Sequence, residues 1–177
     1  IQRQYQREIF MTQFPAINER PNKTTYFLAM AKLVSTRGTC KRRRCGCILV
    51  DRIGRVLATG YNGNGRGQKH CIDAPCEGAK YKSGEGLEKC EAIHAEQNAI
   101  LQCKDTELIE KAYITLSPCV TCVKLLLNTS CKEIVFLEEY VNKDAERIWK
   151  NANRIWKPAA TALETRVEVD STTGFPK

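Results

Sequence analysis

The sequence predicts an α/β fold in three layers (α/β/α), with a mixed five-stranded sheet flanked by helices. Two short apolar runs around a turn in the first half read as a β-hairpin, which makes those strands antiparallel. Strands then alternate with helices through the second half, which makes their neighbours parallel. The length, 177 residues, suits one domain that buries a core of its own.

The elements follow in order. Residues 1–21 are read as an N-terminal extension and 22–177 as a single domain. Thr24 to Val34 (TTYFLAMAKLV) places apolar residues at helical spacing after Asn22, a good N-cap, so a helix is expected over about 23–36. Thr36-Arg37-Gly38-Thr39 ends it. Cys45 to Val50 and Val56 to Tyr61 are the hairpin strands, around Asp51-Arg52-Ile53-Gly54-Arg55. Residues 62–93 are rich in Gly, Lys, Glu and Cys and carry no period. So long a structureless stretch is unusual in a compact domain, and a metal clamp would account for it. Ile93 to Cys103 reads as a helix and Ala112 to Leu116 as a strand. Pro118 opens the next helix, to about Asn128, with proline at its favoured first position. Glu133 to Leu137 is a strand, Asp144 to Asn153 a helix, and Thr165 to Val169 a weak final strand.

The formal net charge of +8 suits an anionic partner, either nucleic acid or a phosphorylated small molecule, and does not choose between them. Ten cysteines would suggest disulfides in a secreted chain. The N-terminal IQRQYQREIF lacks the apolar run of a signal peptide, and no stretch is long enough to span a membrane. A reduced, cytoplasmic setting is therefore expected, where clustered thiols more often bind metal.

Two segments carry the chemistry. They are His94-Ala95-Glu96 and Pro118-Cys119-Val120-Thr121-Cys122, which together match the H-x-E…P-C-x-x-C signature of zinc-dependent nucleobase deaminases. Cys119 and Cys122, three apart at the start of a helix, put both sulfurs on one face. There the free N–H groups and the helix dipole favour thiolates. One imidazole and two thiolates leave the fourth position of a zinc tetrahedron open, as catalytic zinc requires. Zinc brings the pKa of water to about 7. Hydroxide then attacks C4 of a cytosine ring, and Glu96 carries the proton to N3 and helps the amine leave as ammonia. Residues two apart do not share a helical face, so Glu96 must reach the pocket from the helix end.

Over about 23–140 the chain resembles the deoxycytidylate (dCMP) deaminase branch of the cytidine deaminase-like superfamily. The resemblance is carried by Thr39-Cys40-Lys41-Arg42, Thr59-Gly60-Tyr61-Asn62-Gly63, HAEQNAIL at 94–101 and TLSPCVTC at 115–122. It implies conversion of dCMP to dUMP by a homo-oligomer, a hexamer first, with dCTP as activator, dTTP as inhibitor and Mg accompanying the dCTP. It also implies that Asn62 holds the sugar or phosphate, that Arg42 grips the 5′-phosphate, and that the Ala95 and Ser117 backbone reads the base. Gly60, Tyr61 and Gly63 become candidates for an effector nucleotide. For Asn62-Gly63 the plain alternative is a turn; for Lys41-Arg42-Arg43-Arg44 it is a solvated basic face.

Cys40, Cys71, Cys76 and Cys90, with His70 as an alternate, form a candidate second, structural zinc site that would staple the 62–93 stretch. Buried, unligated thiols are the alternative. Cys45, Cys47, Cys103 and Cys131 read as core thiols. Two rival functions remain, a tRNA adenosine deaminase-like enzyme and a non-catalytic zinc module that binds nucleic acid or protein. The TGYNG segment and the Cys-rich insertion speak against the first, and Glu96, which zinc does not need, against the second. A free nucleotide, dCMP and with it other deoxycytidine nucleotides, is therefore expected as partner, with no nucleic acid and no membrane.

Overall fold

A computed structural model describes residues 20–82, 85–140 and 142–159. Its sheet has five strands in the order β2-β1-β3-β4-β5. Helix α1 (Lys23–Ser35) starts where Asn22 accepts from Thr25 N at 2.8 Å. Strands β1 (Gly46–Val50) and β2 (Val56–Tyr61) form the expected antiparallel hairpin. Asp51 shapes its turn. Its carboxylate accepts from Arg55 N at 2.8 Å and Ile53 N at 3.0 Å, while Gly54 takes a φ of 91°, which favours glycine.

The second half alternates as expected. Helix α2 is Ala95–Gln102, β3 Lys111–Leu116, α3 Val120–Leu127, β4 Glu133–Glu138 and α4 Lys143–Asn151. Strand β3 pairs antiparallel with β1 and parallel with β4. A short strand β5 (Ile155–Pro158) then pairs parallel with β4. The expected strand at Thr165 to Val169 lies outside the described residues, and the fifth strand is this earlier segment. Trp156 there packs on Phe136 with ring centroids 5.2 Å apart.

Side-chain alternation divides the core between the two faces of the sheet. Cys47, Leu49, Ala112, Ile114, Ile134 and Phe136 meet α2, α3 and α4 on one side. Ile48, Val50, Tyr113 and Val135 meet α1 through Phe27, Leu28 and Ala31 on the other. Among the described residues the layers are unequal, with α2, α3 and α4 on one face and α1 on the other. Because β1 runs against β3, one end of the sheet gathers the start of β1 and the ends of β2, β3 and β4. The starts of α2 and α3 lie at that same end. Crevices beyond the carboxyl ends of parallel strands are where α/β sheets bind ligands.

Candidate metal and nucleotide site

His94 is the N-cap of α2, with extended backbone (φ −72°, ψ 158°), and its N–H donates to the Gln97 side chain at 2.8 Å. His94 thus stands off the helix while Glu96 sits in the first turn, so residues two apart in sequence reach one pocket. Cys119 is likewise the N-cap of α3, with Cys122 in its first turn. The helix begins two residues later than Pro118, which corrects the expected start. Cys119 ψ of 168° puts the proline outside the helix, on the strand-to-helix turn.

The three ligand atoms converge. His94 Nδ1 lies 3.5 Å from Cys119 Sγ and 3.4 Å from Cys122 Sγ. Zinc–nitrogen bonds of about 2.0 Å and zinc–sulfur bonds of about 2.3 Å at tetrahedral angles give N···S edges of about 3.5 Å. The donor set therefore fits zinc in both chemistry and spacing. Among the described residues it is the one group of three or more His, Cys, Asp or Glu whose ligand atoms lie within 4.8 Å of one another. A hydrogen bond from Cys122 and the nearby His94 pull Cys119 down to about 4. The same bond, with burial, pushes Cys122 up. His94 is raised, first by Cys119. The pull on Cys119 favours its thiolate, the form that binds a metal cation.

Glu96 is 5% exposed, and burial lifts its carboxyl above the ordinary range. It lines a cavity with His94, Cys119, Ala95, Ser117 and Asn62, which brings the expected catalytic and base-reading residues together. Arg42 lines it too, with its guanidinium on the carbonyls of Gly78 (2.9 Å) and Lys82 (2.6 Å). Asn62 holds the wall: Nδ2 donates to Arg43 O and Oδ1 accepts from Cys45 N, both at 2.8 Å. Ser117 Oγ accepts from Tyr140 N at 2.7 Å, which ties the ends of β3 and β4.

Arg43, Cys45, Leu116 and Tyr140 also line the cavity and were not singled out as site residues. Cys45, expected in the core, faces this cavity, and burial pushes its thiol up to about 12. Cys47 and Cys131 are core thiols as expected, whereas Cys103 is only half-buried at the end of α2. The signal for Tyr140 lay in topology, since it follows β4 at the carboxyl end of a parallel strand.

The second cysteine group is only partly assembled. Cys71 and Cys76 Sγ are 3.8 Å apart, but no third ligand joins them within 4.8 Å among the described residues. Cys90 lies close enough to Cys40 and Cys76 for their charges to raise its thiol, after burial; Cys40 and Cys90 also line the cavity that holds Glu96, and His70 lines a second cavity. Backbone contacts anchor the long stretch: Thr39 N donates to Asn62 O, Ile72 N to Thr39 O, and Gly63 bridges Ile93. Tyr61 and Gly63 line the second cavity, together with Asn64, Arg66 and Gln68. Gly60 does not line it; it lies against α2, where a Cβ would sit 2.1 Å from Ala95 O.

Comparison with known proteins agrees with this geometry. Residues 21–138 match the family model for the cytidine and deoxycytidylate deaminase zinc-binding region. The chain is 38% identical over 125 residues to deoxycytidylate deaminase of Schizosaccharomyces pombe, covering 68% of this chain and 38% of the relative. It is 36% identical over 129 residues to that of Mycobacterium phage D29, covering 68% of this chain and 98% of the relative. The chain thus spans about two fifths of its fungal relatives and nearly all of the phage one. The solved dCMP deaminase of cyanophage S-TIM5, in complex with dCMP and dUMP, superposes with a TM-score of 0.64 at 27% identity, over 80% of this chain and 99% of that one.

Proposed function

The chain belongs to the cytidine and deoxycytidylate deaminase family, and on that footing we propose that it hydrolyses dCMP to dUMP and ammonia. The observation that carries this reading is the convergence of His94, Cys119 and Cys122 beside the buried Glu96 in one cavity. His94, Cys119 and Cys122 would hold a zinc ion, which would supply Lewis acidity at the cavity. Glu96 takes a proton from the attacking water and delivers it to ring N3 as C4 is attacked, then takes the proton of the new C4 hydroxyl and passes it to the amine, which leaves as ammonia as the C4 carbonyl forms. Ala95, the first residue of α2, has a backbone N–H without an intrahelical partner, free to read the base. Arg42 is placed to grip the 5′-phosphate by exchanging its two carbonyl partners for phosphate oxygens. Asn62 acts by fixing the 43–45 wall. The S-TIM5 enzyme, bound to dCMP and dUMP, supports the substrate.

The finer readings have narrower support. A dCTP activator or dTTP inhibitor would take the second cavity, which Tyr61, Gly63 and Arg66 line. A second zinc starts from Cys71 and Cys76, whose separation of 3.8 Å equals the S···S edge of a zinc tetrahedron, about 3.8 Å. Cys40 and Cys90 would have to close on that pair. Assembly into a homo-oligomer rests on the resemblance to the family. No helix among the described residues is long and apolar enough to cross a membrane.

Ammonia release from dCMP, CMP, dCTP, deoxycytidine and a tRNA anticodon stem, with zinc measured on the same sample, tests the reading. Turnover of dCMP above the other four is expected. Activity confined to the RNA stem would overturn it, and two zinc ions per chain rather than one would support the second site.

A further inference from the structure

Two guanidinium groups, of Arg42 and Arg43, line the cavity that holds Glu96, and they differ in how their charge is met. Arg42 is held by two neutral carbonyls and makes no ion pair among the described residues. Arg43 is ion-paired with Glu138. Glu138 ends β4 beside Leu116, which lines the cavity, and its carbonyl accepts from Ser117 N at 2.9 Å. Arg43 is fixed from behind, since Asn62 Nδ2 donates to its carbonyl at 2.8 Å. Both partners thus stand on anchored backbone. Their side chains remain 40% and 55% exposed, with Arg43 on the cavity wall.

We propose that the Arg43–Glu138 pair sets how many phosphates the pocket accepts and holds it to nucleoside monophosphates. The proposal rests on the dCMP reading and adds its specificity device. A phosphate monoester carries a charge of about −1.5 to −2 at pH 7, which the guanidinium of Arg42 meets. A triphosphate brings about two further charges past the pair, where Arg43 is already satisfied and the Glu138 carboxylate repels. With that carboxylate gone, Arg43 is free to take phosphate oxygens in its planar fork. Specificity is then set by a repulsive element as well as an attractive one.

The test is ammonia release from dCMP, dCDP and dCTP, each supplied alone, by the parent protein, Glu138→Gln and the double variant Glu138→Gln/Arg43→Gln. Two like charges at exposed side chains are worth about tenfold, so Glu138→Gln should raise the dCTP-to-dCMP ratio of kcat/KM by about tenfold. The double variant should lose that gain, because the gain needs Arg43. An unchanged ratio in Glu138→Gln, or a gain that persists without Arg43, would overturn the proposal. Parent protein that turns over none of the three would instead sink the dCMP reading beneath it.

Discussion

Replacing Gly60 with alanine puts a methyl group where β2 meets α2, and the structure gives the size of the conflict. The new Cβ would lie 2.1 Å from Ala95 O, 2.4 Å from Ala99 N and 2.9 Å from Ala99 Cα. All three are backbone atoms, so no change of rotamer relieves them. The helix must retreat from the strand by roughly 1 Å, and overpacking of this kind costs about 1–3 kcal/mol. At about 2–4 °C per kcal/mol for a domain of this size, Tm should fall by about 2–12 °C. His94 precedes Ala95 directly and moves with the helix, and a misplacement of about 1 Å can slow turnover about 10²-fold. Thermal denaturation followed by circular dichroism, paired with ammonia release from dCMP, reads both effects. A Gly60→Ala protein with the parent's Tm and turnover would refute the claim that this close approach places the metal ligand.

Two other perturbations test parts of the scaffold. Arg154 donates from Nη1 to the carbonyls of Leu126 (3.1 Å), Thr129 (3.1 Å) and Cys131 (2.6 Å) and from Nη2 to Leu127 (2.9 Å), closing the end of α3. Arg154→Met should cost about 2–4 kcal/mol in urea denaturation, since charge-assisted bonds are lost and carbonyls stranded; a cost under about 0.5 kcal/mol would contradict that role. The N–H of Arg55, first among its partners, holds the Asp51 carboxyl below its ordinary range. A lowered folded pKa stabilises the protein above the unfolded value of about 3.9 and is lost as pH falls through the folded value. The parent should therefore exceed Asp51→Asn in stability at pH 7, with the difference shrinking below about pH 4 in denaturation curves; a constant difference would exclude the linkage.

Much of the fold was legible because local signals and tertiary packing agreed. Asn22 marked the start of α1, the Asp51 to Arg55 turn marked the hairpin, and the alternation after residue 111 marked the parallel strands. Strand β5 was missed because Ile155-Trp156-Lys157-Pro158 is four residues long, shows no alternation and ends in proline, so only pairing with β4 makes it a strand. Within the site, His94, Glu96, Cys119 and Cys122 were legible because metal chemistry fixes residue type and spacing. Arg43, Cys45 and Tyr140 were not, because nothing local marks a residue that a sheet end carries to a cavity wall. The interaction of Gly60 with α2 was hidden for the same reason: a backbone approach leaves no trace beyond the glycine itself.

The relay through Glu96 is tested most directly by measuring zinc content and dCMP turnover together on Glu96→Gln, which keeps the shape of the side chain and removes its proton chemistry. Zinc should remain on His94, Cys119 and Cys122 while turnover falls by at least about 10²-fold. Full turnover in a zinc-loaded Glu96→Gln protein would contradict the relay.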